Sequence, residues 1–440
     1  LSGFIVIALV VIGVFLFVPL KNHFWISDWA RLVKETSEFI ESLPEHTTHI
    51  ALRNTHDDVR KTKKLWSFYQ NEENVLEKAK LGQKLASALL TLGEQYLRVD
   101  GVLLSQEFNK RYIDQLPADD GTVHSLEVTG KTLFLLSLFD LTGDIEYREN
   151  LLELIPILER LGIVDGSEIE KTIYIVSRSS SMLLKFLEPL KSKKPPDYQN
   201  LALKLEELVH LSSGTNPHLE SAIYQTIGHL FAEQFETSSE PAKAKQALNA
   251  LEKSVNVFIT LSGLGFPYYS DWGINLVKQA EIKLDKSLGH RALDKCRLAS
   301  EPKNAIGFTD WIDAQKCFAA AHRVLAEVLK EPQHLVSAHN ALQKVLDVLD
   351  PVNHRYIWAE TKLELGQVYS RRVSIPLSPK STTVARVACT DSLKVFEQLN
   401  LSWMIKKAQE CLDNMSNLEA QTSGSYKSHK MSDLSPERSL

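Results

Sequence analysis

The sequence predicts an all-α protein: an N-terminal transmembrane helix followed by an α-α superhelix of helix hairpins. Three observations carry this reading. Along the body, apolar residues recur at intervals of three and four, which puts them on one side of a 3.6-residue helix. Glycine and proline are scarce, 19 and 16 in 440 residues, which disfavours turn-rich sandwiches and barrels. The first twenty residues also contain a long uncharged apolar run.

That run, from Gly3 to Leu20, is just long enough for the roughly 20 residues that a membrane-crossing helix needs. Lys21, His23, Phe24, Trp25 and Trp29 follow it, and basic and aromatic side chains belong at the headgroup level. Residues 1–20 are therefore read as a single-pass membrane anchor. The rival is a cleaved signal peptide, which the length of the run and the lack of an Ala-x-Ala-like site disfavour. Lys21, Arg31 and Lys34 on the C-terminal side favour a cytosolic body. The chain begins with Leu rather than Met, which leaves room for an upstream domain.

The body divides into short helices. Leu81, Leu85, Ala88, Leu89, Leu92 and Tyr96 form one stripe; Leu201, Leu203, Leu205, Leu208 and Leu211 crowd another; Val324, Leu325, Val328 and Leu329 continue a third from Phe318. Prolines punctuate these segments, and Pro156 and Pro189, inside apolar runs, are expected to kink or end helices. The segment Lys191 to Asp197, with Pro195 and Pro196, reads as a linker between residues 24–190 and 198–414, two halves of an array. Residues 415–440, rich in Ser, Lys and Glu, read as a disordered tail.

A small motif recurs: Leu92-Gly93-x-x-Tyr96, Ile227-Gly228-x-x-Phe231 and Leu365-Gly366-x-x-Tyr369. Its starts lie 135 and 138 residues apart (227 − 92 and 365 − 227), close to four units of roughly 34 residues. Glycine in a helix interior costs about 1 kcal/mol relative to alanine. Its repetition is explained if a partner helix packs closely there, with the Leu and aromatic side chains filling either side.

The window Trp358 to Tyr369 carries Trp, Leu, Gly and Tyr at offsets 0, +7, +8 and +11. With this, the sequence resembles the tetratricopeptide-repeat (TPR) family. Its Trp stands about one helical turn earlier than in the usual spacing. Trp311 to His322 repeats the longer pattern loosely, 47 residues upstream (358 − 311), so these would be extended repeats. Ala338–Val348 and Asp391–Leu399 resemble the second helices of the two pairs. The resemblance covers about 300–415 and is thin over 80–260. It implies a scaffold whose groove binds a protein partner. An irregular all-helical domain is the alternative.

Little points to catalysis. A net charge of −5 argues against nucleic-acid binding, and 44% hydrophobic with 24% charged residues excludes global disorder. The segment with His46, His49, His56 and Asp57 is the densest set of metal-ligand types, but surface histidines account for it better. No catalytic, cofactor or metal residue is assigned. Cys296, Cys317, Cys389 and Cys411 have no Cys-x-x-Cys spacing and are expected to be small core residues, as suits a reducing compartment. The glycine-rich loop Gly263 to Gly273 lacks the residues of a phosphate-binding loop. Its Phe266, Tyr268, Tyr269 and Trp272 pack on neighbouring helices or contact a partner peptide. The basic run Arg60 to Lys64 is read as a solvated helix face, with headgroup contact as the alternative. Asn400-Leu401-Ser402 and Asn414-Met415-Ser416 match the glycosylation pattern, which matters only for a lumenal or extracellular body.

The expectation is thus a membrane-anchored adaptor binding a protein partner, with no nucleic acid and no cofactor. The alternatives are an accessory region of a larger signalling or catalytic protein, and a helical hydrolase or metal-dependent enzyme.

Overall fold

A computed structural model of the chain describes residues 26–43, 55–114, 121–160, 198–212, 217–263, 269–301, 304, 307–370 and 379–432. All sixteen regular elements among them are helices. The N-terminal part holds α1 (Ile26–Ser42), α2 (His56–Asn71), α3 (Val75–Gln95), α4 (Val99–Ile113), α5 (Gly121–Thr142) and α6 (Ile145–Arg160). Next come α7 (Tyr198–Ser212), α8 (Pro217–Ser238), α9 (Pro241–Gly263), α10 (Tyr269–Lys283) and α11 (Lys286–Ala299). The chain continues with α12 (Gly307–Leu329), α13 (Pro332–Leu346), α14 (Arg355–Ser370), α15 (Pro379–Gln398) and α16 (Ser402–Ser432). The expected anchor, residues 1–20, and the 191–197 linker with Pro189 lie outside the described residues. Among those described, no helix is long and apolar enough to cross a membrane.

Consecutive helices pack as hairpins: α3 on α4, α5 on α6, α8 on α9, α10 on α11, α12 on α13 and α14 on α15. Short turns of one construction make several of these reversals. Leu97, Ser239, Leu284, Lys330 and Asn400 each take a left-handed backbone conformation just after a helix, with φ between 51 and 60°, and Gly143 does so at 68°. This conformation lets the amide beyond it reach back to an otherwise orphaned carbonyl: Arg98 to Gly93 at 2.6 Å, Asp285 to Ala280 at 3.2 Å and Leu401 to Phe396 at 3.0 Å. The next helix then starts at once. Asp285 caps α11 by accepting from the amides of Ser287 and Leu288 at 2.7 and 3.2 Å. Pro217, Pro241, Pro332 and Pro379 each open a helix, where the missing N–H has no consequence. Pro156, by contrast, sits inside α6, which continues to Arg160.

The two expected halves share their cores. The second half of α5, Leu133 to Leu141, is apolar nearly all round and packs against neighbours on three sides, as such a segment must. Leu133 packs with α7, α8 and α9; Phe134, Leu138 and Leu141 pack with α3 and α12; Leu135, Leu136 and Phe139 pack with α14, α15 and α16. Within this buried stretch, Ser137 Oγ donates to Glu94 Oε1 at 2.8 Å. The turns fasten the contact. Thr309 Oγ1 donates to the Glu94 carbonyl at 2.6 Å, and a β-carbon on Gly143 would stand 2.7 Å from Tyr356 Cβ.

The last helix, α16, runs into the segment expected as a tail, as far as Ser432. Met415 is fully buried and Leu418 packs beside it against α13, α14 and α15, an apolar pair three residues apart that the surrounding Ser and Lys conceal. One expectation is corrected. The cysteines are not free thiols: Cys296 is bonded to Cys317 and Cys389 to Cys411.

Candidate functional site

The repeated glycines stand where hairpins close. A β-carbon on Gly93 would lie 2.9 Å from the Val102 amide of α4, and one on Gly228 would lie 2.5 Å from Leu251 Cγ of α9. One on Gly366 would meet Cys389 Sγ of α15 and lie 3.0 Å from Cys411 Sγ. Leu92, Ile227 and Leu365 are buried beside them, as are Phe231 and Tyr369. Tyr96 is half-buried and shares a hydrogen bond with Thr55 Oγ1 at 2.7 Å. Trp358 borders three core clusters, with Lys362 Nζ 5.1 Å from the centre of its ring.

Of the aromatic loop, Phe266 and Tyr268 lie outside the described residues. Trp272 is buried with Leu276, Cys296 and Cys317, and Tyr269 packs at the margin of this cluster. Lys295 of α11 lies 3.6 Å from the Trp272 ring centre and 5.6 Å from that of Tyr269. This geometry joins α10 to α11.

Polar bridges connect the first helices of successive hairpins. Gln225 of α8 donates to Asp271 of α10 at 3.5 Å, and burial raises the pKa of that carboxyl. Glu281 of α10 pairs with Arg323 of α12 and with Lys278 at 3.0 Å. Burial opposes ionisation of Glu281, but the two cations outweigh it and hold the carboxyl well below the usual carboxylate range. Lys316 of α12 binds Glu360 and, at 3.6 Å, Glu364 of α14. Burial works against its charge, yet Glu360, Glu364 and Asp313 keep its pKa above the ordinary lysine value. Burial pushes Glu364 up to about 7.

The cleft between α1, α4 and α5 has a different character. It measures about 1120 Å³ and lies open to solvent. Buried Leu32, Phe39, Leu104 and Phe134 form its apolar floor, and Leu103, 44% exposed, projects from α4. Charges of both signs line it: Arg31, Glu35 and Glu38 on α1, Glu107 and Lys110 on α4, Glu127 and Lys131 on α5. The wall of α1 is fixed by Phe39, against whose ring a β-carbon on Gly101 would stand at 2.6 Å, and by Trp66 Nε1 donating to Ser37 Oγ at 3.2 Å. Nothing in the sequence marks this site, because its walls come from residues about a hundred positions apart and carry no motif.

Other sequence candidates are dispersed. His46 and His49 lie outside the described residues, and Asp57 pairs with Arg60 on the exposed face of α2. Among the described residues, no group of three or more His, Cys, Asp or Glu is placed to hold a metal ion. Sequence reading missed the pair His322 and His334, whose Nδ1 atoms lie 2.7 Å apart between α12 and α13. Burial, with His334 beside it, lowers the His322 pKa to about 4. Asn400, in the α15–α16 turn, and Asn414, on α16, are both exposed.

Consecutive helix hairpins with an open, amphipathic cleft between α1, α4 and α5 define the architecture. No family model matches the chain, and no curated protein matches it.

Proposed function

We propose that this protein is a membrane-tethered, TPR-like scaffold that docks a helical segment of a partner protein in the cleft between α1, α4 and α5. One observation carries the reading: an apolar floor of Leu32, Phe39, Leu104 and Phe134 lies between rims bearing both signs of charge. An amphipathic helix about 10 Å across, apolar on one side and mixed in charge on its flanks, is complementary to such a cleft. The uncharged run of residues 1–20 supplies the tether, so the scaffold concentrates its partner at a membrane.

The test is photo-crosslinking on the full chain in its own membrane, with a crosslinking amino acid at Leu103, Glu107 or Lys131. A discrete protein adduct is expected from all three positions, weakened at Lys131 by adding Leu103→Glu. Absence of any protein adduct at all three positions sinks the proposal.

A further inference from the structure

The cysteines belong to a pattern that helix periodicity hides. Gly273, Cys296 and Cys317 recur as Gly366, Cys389 and Cys411, with the glycines 93 residues apart (366 − 273). Within each unit the first cysteine follows the glycine by 23 residues (296 − 273 and 389 − 366), and the second follows the first by 21 or 22. The placement repeats as well. Each glycine stands on the first helix of a hairpin, α10 or α14; the first cysteine stands on its second helix, α11 or α15; the second cysteine opens the next step on α12 or α16.

Each glycine makes room for the paired sulfurs. A β-carbon on Gly273 would stand 2.6 Å from Cys317 Sγ and 2.7 Å from Cys296 Sγ, and Gly366 is placed the same way against Cys389 and Cys411. All four cysteines are buried. The step between the two units, from α12 and α13 to α14, is filled instead by Ala319, Leu342 and Leu365. One cysteine pair in a helical core is unremarkable. Two pairs at matching spacing, each with its own glycine, are a built feature.

We infer that the body of this protein folds and works on the oxidising side of its membrane, with both Gly–Cys–Cys staples closed. Disulfides persist in such compartments and are rare where thiols are kept reduced. Closing each staple forms one S–S bond and removes two protons and two electrons from the thiols. A thiol–disulfide oxidase of that compartment takes them up by exchange through a mixed disulfide. Residues 1–20 then anchor a body that has crossed the membrane, the reverse of the orientation that Lys21, Arg31 and Lys34 favour. The Cys296–Cys317 staple also underlies the Lys295–Trp272 contact, since Cys296 follows Lys295 and Gly273 follows Trp272.

The experiment expresses the full chain, residues 1–440, in a bacterium with an intact periplasmic disulfide pathway. Cells are quenched in acid, and the denatured protein is labelled with a polyethylene-glycol maleimide before and after reduction. No added mass before reduction and four additions after it are expected, with a single addition before reduction in Cys296→Ser. A C-terminal alkaline phosphatase fusion, active only outside the cytosol, is expected to be active. Additions to the wild-type chain before reduction, or an inactive phosphatase with a fluorescent cytosolic reporter at the same site, overturn the inference. Peptide mapping of the unreduced wild-type chain covers the case in which a serine variant fails to fold.

Discussion

Gly228 packs directly on Leu251, so closely that a β-carbon at position 228 would stand 2.5 Å from Leu251 Cγ and 2.6 Å from Leu251 Cδ2. Two effects compete when Gly228 becomes alanine. Helix propensity gains about 1 kcal/mol, whereas forcing an extra methyl into a filled interface costs about 1–3 kcal/mol. Leu251 is fully buried and has no free direction in which to yield, so the clash wins. Gly228→Ala is expected to lower stability by about 1–2 kcal/mol, read as a drop in the urea midpoint. An unchanged or raised midpoint would show that α8 and α9 are not held at this distance.

The same motif shows how far the sequence could be read. Leu-Gly-x-x-aromatic is legible because glycine in a helix needs a reason, and close hairpin packing is that reason at Gly93, Gly228 and Gly366. Breaks between helices are legible at Pro217, Pro241 and Pro332, each of which opens a helix, because proline favours the first helical position. The cysteine pairs were missed because residues 21 and 22 apart meet only when two helices and their connection fold together. The cleft was missed for a stronger form of the same reason: Phe39, Leu103 and Phe134 become neighbours only through tertiary packing. The closure of the two parts around α5 has its sign in the uninterrupted apolar run from Leu133 to Leu136, but not its partners.

Lys330 occupies the left-handed position between α12 and α13 with φ of 60° and an exposed side chain. A residue with a β-carbon pays roughly 1 kcal/mol there, and glycine does not. Glycine also loses more freedom on folding, which removes part of the gain. Lys330→Gly is expected to stabilise the protein by about 0.5 kcal/mol, measured as a rise in the urea midpoint with unchanged slope. A loss of stability would mean that the lysine makes an interaction worth more than its backbone strain.

His229 and His322 make the stability sensitive to acid. Burial lowers each imidazole to about 4, assisted by Lys278 at His229 and by His334 at His322. Between the ordinary value of 6.5 and about 4, the unfolded chain binds protons that the folded chain refuses. Stability therefore falls as the pH is lowered through this window, and the part due to these groups is fully present above it. Glu364, raised to about 7, acts in the opposite direction over pH 4.5–7 and partly masks the slope. Replacing His322 by glutamine, which does not titrate, is expected to flatten the loss of stability between pH 6 and pH 4 by close to one proton's worth. An unaltered pH slope in that variant would rule out this assignment.

Each disulfide closes a loop of 21 or 22 residues, for which the chain-entropy relation gives about 3 kcal/mol of stabilisation. The double variant Cys389→Ser/Cys411→Ser is expected to lose about that much and to become insensitive to further reduction at the α15–α16 junction. The Cys296–Cys317 staple remains in that variant, so reductant should still lower its melting temperature. Loss of the remaining sensitivity would show that the two staples form one cooperative unit rather than two independent ones.

Lys316 offers the sharpest test of the bridges between first helices. Its ammonium is largely buried, 13% exposed, between Glu360 and Glu364, with Asp313 also nearby. Removing it leaves carboxylates in a partly enclosed site without their cation. Breaking one side of a buried pair costs about 3–5 kcal/mol, although replacing the whole group by apolar residues is often neutral. Lys316→Met is therefore expected to destabilise by about 2–3 kcal/mol, below that range because each glutamate remains about one-third exposed. Adding Glu360→Gln and Glu364→Gln should recover a large part of the loss, because no uncompensated charge remains. If the triple variant is no more stable than Lys316→Met alone, the lysine acts through packing of its aliphatic stem rather than through its charge, and the α12–α14 contact is an apolar one.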